Sequence, residues 1–289
     1  MATKSALVTG ASSGIGYALA IELAERGYRV FAGARRLSRM KPLEDLGITT
    51  FELDVGSLES IERAVEFISE NTGGKLDLLF NNAGIQCFSP AVEVDDEKFQ
   101  KCFQINVYGP IRLIRELAPL VIKSRGVIAF TGSTAGLNPF PFSSIYAATK
   151  GAIHSYASTL AMEMIPFGVR VLNVITGGVA TEIGDDKTLA SNSWYRIEDE
   201  DILATRPTGQ GVRLSAPKYA SRTCDDIEKA FKQTSPNYIV SYRGSESSWH
   251  SFLASYTPRW IIERKILKDF FLKSPYKRLQ KYYQEDVTS

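Results

Sequence analysis

The sequence predicts an α/β protein built on one doubly wound parallel β-sheet with helices on both faces. Two observations support this prediction. Short apolar runs, rich in β-branched and aromatic residues, alternate with longer amphipathic runs through most of the 289 residues, which is the pattern of βαβ units. A glycine-rich turn also lies directly between the first apolar run and the first helical run. The length suits one large domain or two small ones.

The elements follow from this periodicity in chain order. The runs typical of buried strands are residues 5–9, 29–34, 49–53, 76–81, 127–131, 169–175 and 237–242. Helical runs lie between them at 15–26, 58–70, 95–123 and 146–165. Two regions break the alternation, a polar, irregular stretch at 182–223 and an aromatic, basic segment from Trp249. We therefore predict a main domain over residues 1–248, with 182–223 as a lid-like loop, and a C-terminal extension over 249–289.

The composition indicates a cytosol-facing globular protein. Hydrophobic residues make up 44% of the chain and charged residues 23%, and the net charge is only +2. Cys87, Cys102 and Cys224 have no metal-site spacing and leave an odd thiol, which favours a reducing compartment. We expect no signal peptide, and no apolar run approaches the ~20 residues of a membrane-spanning helix. The cysteine spacing therefore predicts no metal site, and the lack of a basic patch interleaved with base-stacking aromatics predicts no nucleic-acid partner.

The glycine-rich turn predicts a dinucleotide site. It reads T-G-A-S-S-G-I-G over residues 9–16. Glycines let the backbone approach a diphosphate closely, and the following helix presents its first N–H groups to the same anion. The spacing G-x-x-x-G-x-G differs from the G-x-G-x-x-G of other dinucleotide folds. The candidate contacts are Gly10, Ser12, Ser13, Gly14, Ile15 and Gly16.

The end of the second strand predicts which dinucleotide binds. Ala34 stands where an acidic residue would hold the ribose hydroxyls of NAD, and Arg35 and Arg36 follow it. Arginines at this position pair with the 2′-phosphate of NADP, so we predict NADPH/NADP+ as the cofactor. The alternative is that both arginines are simply solvated. Asp54 closes the third strand, where it either bonds the adenine amino group or caps the next helix.

Tyr146 and Lys150 are predicted to form a proton-transfer pair. They are four residues apart in a helix-favouring run, so their side chains lie on one face, about one turn apart. A phenol has a pKa of about 10, and a neighbouring ammonium lowers that pKa. Such a pair can give a proton to a developing alkoxide. Ser133 follows the strand at 127–131, and its hydroxyl could hydrogen-bond the same oxygen.

Together these motifs resemble the short-chain dehydrogenase/reductase family over residues 5–181. The resemblance is carried by T-G-A-S-S-G-I-G, N-N-A-G (81–84), Asn106, Ser133 and Y-A-A-T-K (146–150). It implies a single-domain Rossmann-type sheet of strand order 3-2-1-4-5-6-7. It also implies that Tyr146 is the general acid/base, that Lys150 lowers its pKa and binds the nicotinamide ribose, and that Ser133 orients a carbonyl. Asn106 is implied to interrupt its helix and to anchor a proton-relay water.

The resemblance implies further cofactor contacts, and one motif departs from it. The implied contacts are Val55, Asn82, Ala83, Gly84, Asn106, Tyr146, Lys150, Gly177, Val179 and Thr181. In I-T-G-G-V-A-T (175–181), Thr176 replaces the proline that the family usually has, while Gly177 and Thr181 match. Family members commonly assemble through the two long helices that carry Asn106 and Tyr146, so we expect a homodimer or homotetramer.

A narrower resemblance concerns the substrate. The phrases G-K-L-D-L-L-F-N-N-A-G, P-F-S-S-I-Y and I-T-G-G-V-A-T, with the basic aromatic C-terminus, are similar to fungal NADPH-dependent reductases of 1-acyldihydroxyacetone phosphate. That similarity implies reduction of a lipid ketone to 1-acylglycerol 3-phosphate, a step toward phosphatidic acid and other glycerolipids. Hydroxysteroid and retinol dehydrogenases share much of the same pattern and are the alternative.

The C-terminal extension has the composition of an interfacial amphipathic helix. From residue 249 it carries eight lysines and arginines against four acidic residues. Its apolar residues at near-helical spacing are Trp260, Ile261, Ile262, Ile266, Leu267, Phe270, Phe271 and Leu272. Such a helix lies in a bilayer interface with its cations toward anionic headgroups. We therefore expect a peripheral position on the endoplasmic reticulum membrane or a lipid droplet. The alternative is a helix that packs its apolar face on the substrate cleft.

Two other functions are open. Residues 10–14 also fit the G-x-S-x-G motif, which would make Ser12 the nucleophile of an acylglycerol lipase. A triad of that kind needs a histidine, and only His154 and His250 exist. A non-catalytic NADPH-sensing scaffold is a further hypothesis, although every catalytic position is filled.

The lid-like loop at 182–223 also carries scattered cations, and none of them is assigned as a ligand: Arg196, Arg206, Arg213, Lys218 and Arg222.

Overall fold

The computed structural model describes residues 3–181, 189–197, 200–201, 213–235 and 237–286. Its centre is a seven-stranded sheet in which every neighbouring pair of strands is parallel. The strands are β1 (Ser5–Thr9), β2 (Arg29–Ala34), β3 (Thr49–Glu52), β4 (Leu78–Asn81), β5 (Val127–Thr131), β6 (Arg170–Thr176) and β7 (Tyr238–Arg243). Their order across the sheet is 3-2-1-4-5-6-7, which confirms the predicted topology.

This strand order creates the crevice in which the predicted site residues meet. The chain runs from β1 outward to β3, then returns to the other side of β1 to continue with β4. The helices that follow β1 and β4 therefore pack on opposite faces of the sheet, and the loops that lead to them meet at its carboxyl edge, where α/β proteins bind ligands.

Helices cover both faces of the sheet. They are α1 (Gly14–Glu25), α2 (Lys41–Glu44), α3 (Leu58–Thr72), α4 (Asp96–Phe103), α5 (Gly109–Ser124), α6 (Ser144–Glu163) and α7 (Ala216–Lys232). Alternate residues of β1 enter two separate cores, because successive strand side chains point to opposite faces. Ala6 and Val8 join the core beneath α1 and α7, whereas Leu7 joins the core beneath α3, α5 and α6.

The predicted amphipathic segment at 95–123 is not one regular helix. A π-helical stretch, Gln104–Tyr108, separates α4 from α5, and Asn106 lies at its centre. A π-helical turn widens the backbone ladder, and such turns are frequent at functional sites. The break is therefore where the family resemblance placed it.

The predicted irregular stretch at 182–223 is shorter than expected, because residues 216–223 form the first turns of α7. We did not predict this helix, because the polar residues of its exposed side made the stretch look irregular. Its buried side carries Tyr219, Cys224 and Ile227. Before α7, residues Leu214–Ser215 pair in parallel with Val179–Ala180. Of the scattered lid cations, Lys218 and Arg222 lie on α7, and Arg206 lies outside the described residues.

Three further helices complete the described chain: α8 (Ser247–Tyr256), α9 (Arg259–Asp269) and α10 (Lys273–Asp286). They pack against the loops beside the carboxyl edge of the sheet. Leu272 and Leu279 lie in one apolar cluster with Phe88, Phe142 and Leu189, and the Nδ2 of Asn138 donates to the carbonyl of His250 at 3.0 Å. None of the helices in the described ranges is both long and apolar enough to cross a bilayer.

Candidate active site and cofactor cleft

The glycine-rich turn brings the end of β1 against the loop that follows β4. Gly10 has a φ of +68°, and a side chain at this position would place its Cβ 2.8 Å from the Cα of Ala83. Thr9 ties the two segments together, since its Oγ1 accepts the N–H groups of Asn82 and Ala83 at 3.0 and 2.9 Å. Asn82 in turn donates to the carbonyl of Thr9 at 3.0 Å. The predicted N-N-A-G motif thus supports the predicted diphosphate loop.

The N-terminus of α1 is built to receive an anion. The helix begins at Gly14, its N-cap Ser13 makes no side-chain cap, and its first turn has no acidic residue. Its first N–H groups therefore carry an uncompensated partial positive charge, which favours a phosphate. Thr181 lies against Gly14, with its Cγ2 3.1 Å from where a Cβ of Gly14 would be. Ser12, Gly14, Thr181 and Arg213 line one cleft.

The adenosine end of the cleft carries the two predicted arginines. Ala34 is buried at the end of β2, whereas Arg35 and Arg36 are exposed immediately after it. Arg36 reaches the glycine-rich turn, where its Nη2 donates to the Oγ of Ser12 at 3.4 Å. This places positive charge beside the diphosphate loop and leaves no carboxylate at the end of β2 in that position. The residues present fit a nucleotide that carries an additional phosphate.

Asp54 does not cap α3, so that alternative is wrong. The N-cap of α3 is Ser57, whose side chain accepts the N–H of Ser60 at 3.2 Å. Asp54 instead turns the backbone, with its Oδ1 accepting the N–H of Gly56 at 2.9 Å. Next to it Val55 is buried, with its carbonyl facing Gly109. The predicted bond from Asp54 to adenine stays a prediction.

The proton-transfer residues lie together beyond the carboxyl end of β5, where the Oγ1 of Thr131 donates to the Oδ1 of Asn82 at 3.0 Å. Tyr146 is half-buried on the first turn of α6, and its hydroxyl shares a hydrogen bond with the hydroxyl of Ser133. Lys150 is buried one turn later; its Nζ lies 5.7 Å from the centre of the Tyr146 ring and donates to the carbonyl of Thr131 at 2.8 Å. The backbone N–H of Ala135 donates to the Oγ of Ser133 at 3.1 Å. The Ser133 hydroxyl is therefore fixed toward Tyr146.

The pKa values of this pair are dominated by burial. Burial raises the pKa of Tyr146 to about 12, and the hydrogen bond with Ser133 acts in the opposite direction. Burial lowers the pKa of Lys150 to about 8. The sequence predicted that Lys150 would lower the pKa of Tyr146, but in the protein alone desolvation of the phenol raises that pKa. Tyr146 is therefore a neutral phenol at neutral pH, the form that can donate a proton.

Asn106 is locked in place by main-chain and side-chain partners. Its Oδ1 accepts the N–H of Ile85 at 2.9 Å, and its Nδ2 donates to the carbonyl of Ile85 at 2.9 Å. The same Nδ2 lies 3.1 Å from the Oγ1 of Thr149, next to Lys150. The π-helical turn thus clamps the loop after β4 to α6, and the predicted proton-relay water stays a prediction.

Thr176, which stands where the family usually has proline, is the last residue of β6 and contacts α7. The Thr176 hydroxyl hydrogen-bonds the hydroxyl of Tyr219 at 2.7 Å, and Tyr219 is fully buried in α7. Gly177 leaves room for the chain that enters α8, because a Cβ there would lie 2.1 Å from the carbonyl oxygen of Ser245. Val179 is buried where it pairs with Leu214. At the position where the family resemblance predicts a proline, a side-chain hydrogen bond between Thr176 and Tyr219 thus holds the backbone.

Comparison with known proteins agrees with this geometry. A family model described as short chain dehydrogenase matches residues 4–192, and the match spans more than half of the chain. The chain belongs to the short-chain dehydrogenase family. It is 42% identical over 277 residues to the NADPH-dependent 1-acyldihydroxyacetone phosphate reductase of Saccharomyces cerevisiae, covering 93% of this chain and 92% of the relative.

Solved structures of other short-chain dehydrogenases share the fold. A short-chain dehydrogenase from Streptomyces avermitilis superposes with a TM-score of 0.74 at 28% identity, covering 95% of this chain and 98% of the other. The alcohol dehydrogenase from the archaeon Thermococcus sibiricus, complexed with 5-hydroxy-NADP, superposes with a TM-score of 0.68 at 25% identity, covering 84% and 97%. The chain is an oxidoreductase of this family, with one Rossmann-type domain.

Among the residues that the structure describes, none forms the triad that the lipase alternative requires. The side-chain oxygen of Ser12 accepts a hydrogen bond from Arg36. Both histidines are engaged elsewhere: the Nε2 of His154 accepts the backbone N–H of Ser133 at 3.2 Å, and His250 lies 3.5 Å from Glu246. A nucleophilic serine needs an adjacent base, and neither histidine serves Ser12.

Two groups in the site were missed by sequence reasoning. The carbonyl of Thr131 holds the ammonium of Lys150, and His154 holds the backbone of Ser133. A main-chain acceptor leaves no trace in side-chain patterns. His154, in contrast, lies four residues after Lys150, just as Lys150 lies four residues after Tyr146. This spacing places all three side chains on one face of the helix, so His154 could have been predicted to belong to the site. From the sequence, His154 was a candidate only as a partner for Ser12.

Proposed function

We propose that this short-chain dehydrogenase reduces a ketone with NADPH, and that its substrate is 1-acyldihydroxyacetone phosphate, which becomes 1-acylglycerol 3-phosphate. The observation that carries the proposal is the complete proton-transfer group, Ser133, Tyr146 and Lys150, at the same carboxyl edge of the parallel sheet as Arg35 and Arg36. The substrate assignment is supported by the name of the yeast relative, which shares 42% of its residues with this chain.

The cofactor proposal is supported by the fit of the cleft. The uncapped N-terminus of α1 would hold the diphosphate, and Arg35 and Arg36 would hold the 2′-phosphate of the adenosine. A relative named as NADPH-dependent and a structural neighbour complexed with 5-hydroxy-NADP point the same way. NADPH, when bound there, supplies the hydride for the carbonyl carbon.

The chain's own residues supply positioning and a proton. The hydroxyl of Ser133 donates to the substrate carbonyl oxygen and holds it beside Tyr146. The neutral phenol of Tyr146 gives its proton to that oxygen as the carbonyl becomes an alkoxide. The ammonium of Lys150, 5.7 Å from the centre of the Tyr146 ring, then stabilises the phenolate that remains. Asn106 keeps this face of α6 in register with the loop after β4.

A substrate panel tests the proposal. Initial rates with NADPH would be measured for 1-acyldihydroxyacetone phosphate, for dihydroxyacetone phosphate without the acyl chain, for a steroid ketone and for retinal. We expect kcat/KM to be highest for the acylated phosphate. A higher kcat/KM for the steroid ketone or retinal would replace the substrate assignment by the hydroxysteroid or retinol dehydrogenase alternative. No reduction of any ketone would refute the reductase function itself.

We also propose that the enzyme works at a membrane or lipid-droplet surface, which is where an acylated substrate is found. Two apolar residues of α9, Ile262 and Ile266, are buried in the protein, where they pack on Leu253. The exposed aromatic side chains instead form a strip, defined as Trp249, Phe252, Tyr256 and Trp260, which runs along α8 to the start of α9. Each of its members is at least half exposed. Tryptophan and tyrosine favour the headgroup region of bilayers.

Vesicle flotation tests the surface proposal. The wild-type protein should float with vesicles of phosphatidylcholine and phosphatidylserine, and Trp249→Ser/Phe252→Ser should lose most of this binding. A matched control is Leu46→Ser/Leu58→Ser, which removes two exposed leucines far from the strip and should float like the wild type. Equal flotation of all three proteins, or no flotation of the wild type, would refute the role of the strip. Assembly into a dimer or tetramer through the two long helical segments that carry Asn106 and Tyr146 stays a prediction.

A further inference from the structure

One face of α6 contacts the chain around Ser133 at three successive turns. Tyr146 meets the hydroxyl of Ser133, Lys150 meets the carbonyl of Thr131, and His154 meets the backbone N–H of Ser133. Side chains at this spacing of four residues stand one above the other on a helix. The proposed reaction uses the first two contacts and leaves the third, at 3.2 Å, without a function.

The loop after β5 is shaped around the ring of His154. At Gly132 a Cβ would lie 2.9 Å from Nε2, and at Gly136 it would lie 2.7 Å from Cε1. Both distances are too short for a real side chain, so the loop folds over the imidazole only because both positions are glycine. The ring is therefore enclosed by the same loop that carries Ser133, and it cannot move without moving that loop.

The direction of the hydrogen bond fixes the chemical form of the ring. Because Nε2 accepts a hydrogen bond from the backbone N–H of Ser133, it carries a lone pair, and the proton of the neutral imidazole is on Nδ1. Nδ1 is buried and has no hydrogen-bond partner among the residues that the structure describes. Within that part of the chain, the bond to Ser133 is the one that orients the ring.

We propose that His154 is a positioning residue, which acts through the backbone of Ser133 to hold the serine hydroxyl against the substrate carbonyl. The inference rests on the proposed reductase function. Ser133 has an extended backbone, and its hydroxyl is already restrained by Ala135 and Tyr146. The bond to His154 restrains its main chain on the opposite side. Without that third restraint, the serine shifts relative to Tyr146 while both side chains remain present.

The experiment compares three substitutions of similar size in the full chain. His154→Leu removes the acceptor, His154→Gln can place its Oε1 near the position of Nε2, and His154→Asn is too short to do so. For His154→Leu and His154→Asn we expect kcat for ketone reduction to fall about tenfold to hundredfold, the effect of a displacement near 1 Å at a reacting group. His154→Gln should recover most of kcat. The Kd for NADPH should stay at the wild-type value in all three.

A double-mutant cycle tests whether His154 acts through Ser133. In a Ser133→Ala background there is no hydroxyl left to position, so adding His154→Leu should lower kcat by less than about threefold. An equal factor in both backgrounds would overturn the proposal, and so would wild-type kcat in His154→Leu. If His154→Leu does not fold, the ratio of kcat between His154→Gln and His154→Asn decides, and equal values refute the proposal. Wild-type enzyme without ketone reductase activity would instead refute the proposed function.

Discussion

The two ends of the proposed cofactor site, the catalytic end and the adenosine end, are built in different ways. At the catalytic end, Ser133 and Lys150 are buried, and each is tied to backbone or side-chain partners in the protein. At the adenosine end, Arg35 and Arg36 stand in solvent, and Arg36 has one long hydrogen bond, of 3.4 Å, to Ser12. The first end is organised before any ligand binds, whereas the second consists of charges that a ligand must order.

The difference indicates that one end controls the activation free energy of the reaction and the other controls the free energy of nucleotide binding. Buried, hydrogen-bonded groups keep their geometry and have shifted pKa values, so they can act on a transition state without reorganising. Exposed arginines contribute through attraction to a phosphate and choose between nucleotides. We therefore expect changes at the catalytic end to appear in kcat and in pH dependence, and changes at the adenosine end to appear in nucleotide affinity.

The largest expected effect is that of Tyr146→Phe. Removing the hydroxyl removes the proton donor, so kcat for ketone reduction should fall by about 10²- to 10⁴-fold, the usual contribution of a general acid. The Kd for NADPH, measured by the fluorescence of the nucleotide, should not change. Tyr156→Phe is the matched control, because Tyr156 lies on the same helix and packs edge-on against Phe130. Retention of activity in Tyr146→Phe would show that another group donates the proton.

The next effect concerns stability and pH. Burial lowers the pKa of Lys150 from 10.5 to about 8 in the folded protein. Between these two pH values the unfolded chain binds more protons than the folded chain, so the free energy of unfolding rises with pH. The cost of burying the ammonium is present below pH 8 and is relieved as the pH approaches 10.5.

Urea unfolding of the nucleotide-free protein measures this dependence. From pH 7.5 to pH 10 the wild type should gain stability relative to Lys150→Met, with an upper limit of about 3 kcal/mol set by the size of the pKa shift. Lys229→Met, which removes an exposed lysine of α7, should follow the wild-type profile. If the profiles of wild type and Lys150→Met run parallel, Lys150 is not desolvated and the contrast between the two ends fails.

The smallest expected effect is at the adenosine end. Arg35→Ala removes one charged partner of the 2′-phosphate, so the Kd for NADPH should rise about tenfold to hundredfold. The Kd for NADH, which lacks that phosphate, should change little, and kcat with saturating NADPH should be retained. Arg63→Ala, an exposed arginine of α3, serves as the control. Equal loss of affinity for NADPH and NADH would exclude a phosphate contact at Arg35.

Much of the fold and of the site could be predicted, because both depend on local patterns. The apolar runs that became β1 to β7 alternate with helical runs, and parallel topology follows from that alternation. The spacing of Tyr146 and Lys150 on one helix is enough to place them side by side. The glycine turn requires only its position between β1 and α1.

What could not be predicted depends on tertiary packing. The pKa of Tyr146 moves upward because the phenol is desolvated, and desolvation cannot be read from the spacing of residues. The bond between His154 and Ser133 requires the register between α6 and the loop after β5. In the C-terminal extension, spacing alone could not tell Ile262 and Ile266, which face inward, from Trp260, which does not.

The packing of α10 has a consequence for biosynthesis. Leu272 and Leu279 lie in one cluster with Phe88 of the loop after β4 and Phe142 of the loop that carries Ser133. During translation the sheet can form as its strands emerge, but this cluster must wait until residue 279 has left the ribosome. A nascent chain would therefore acquire its parallel sheet before Phe88 and Phe142 gain their packing partners Leu272 and Leu279.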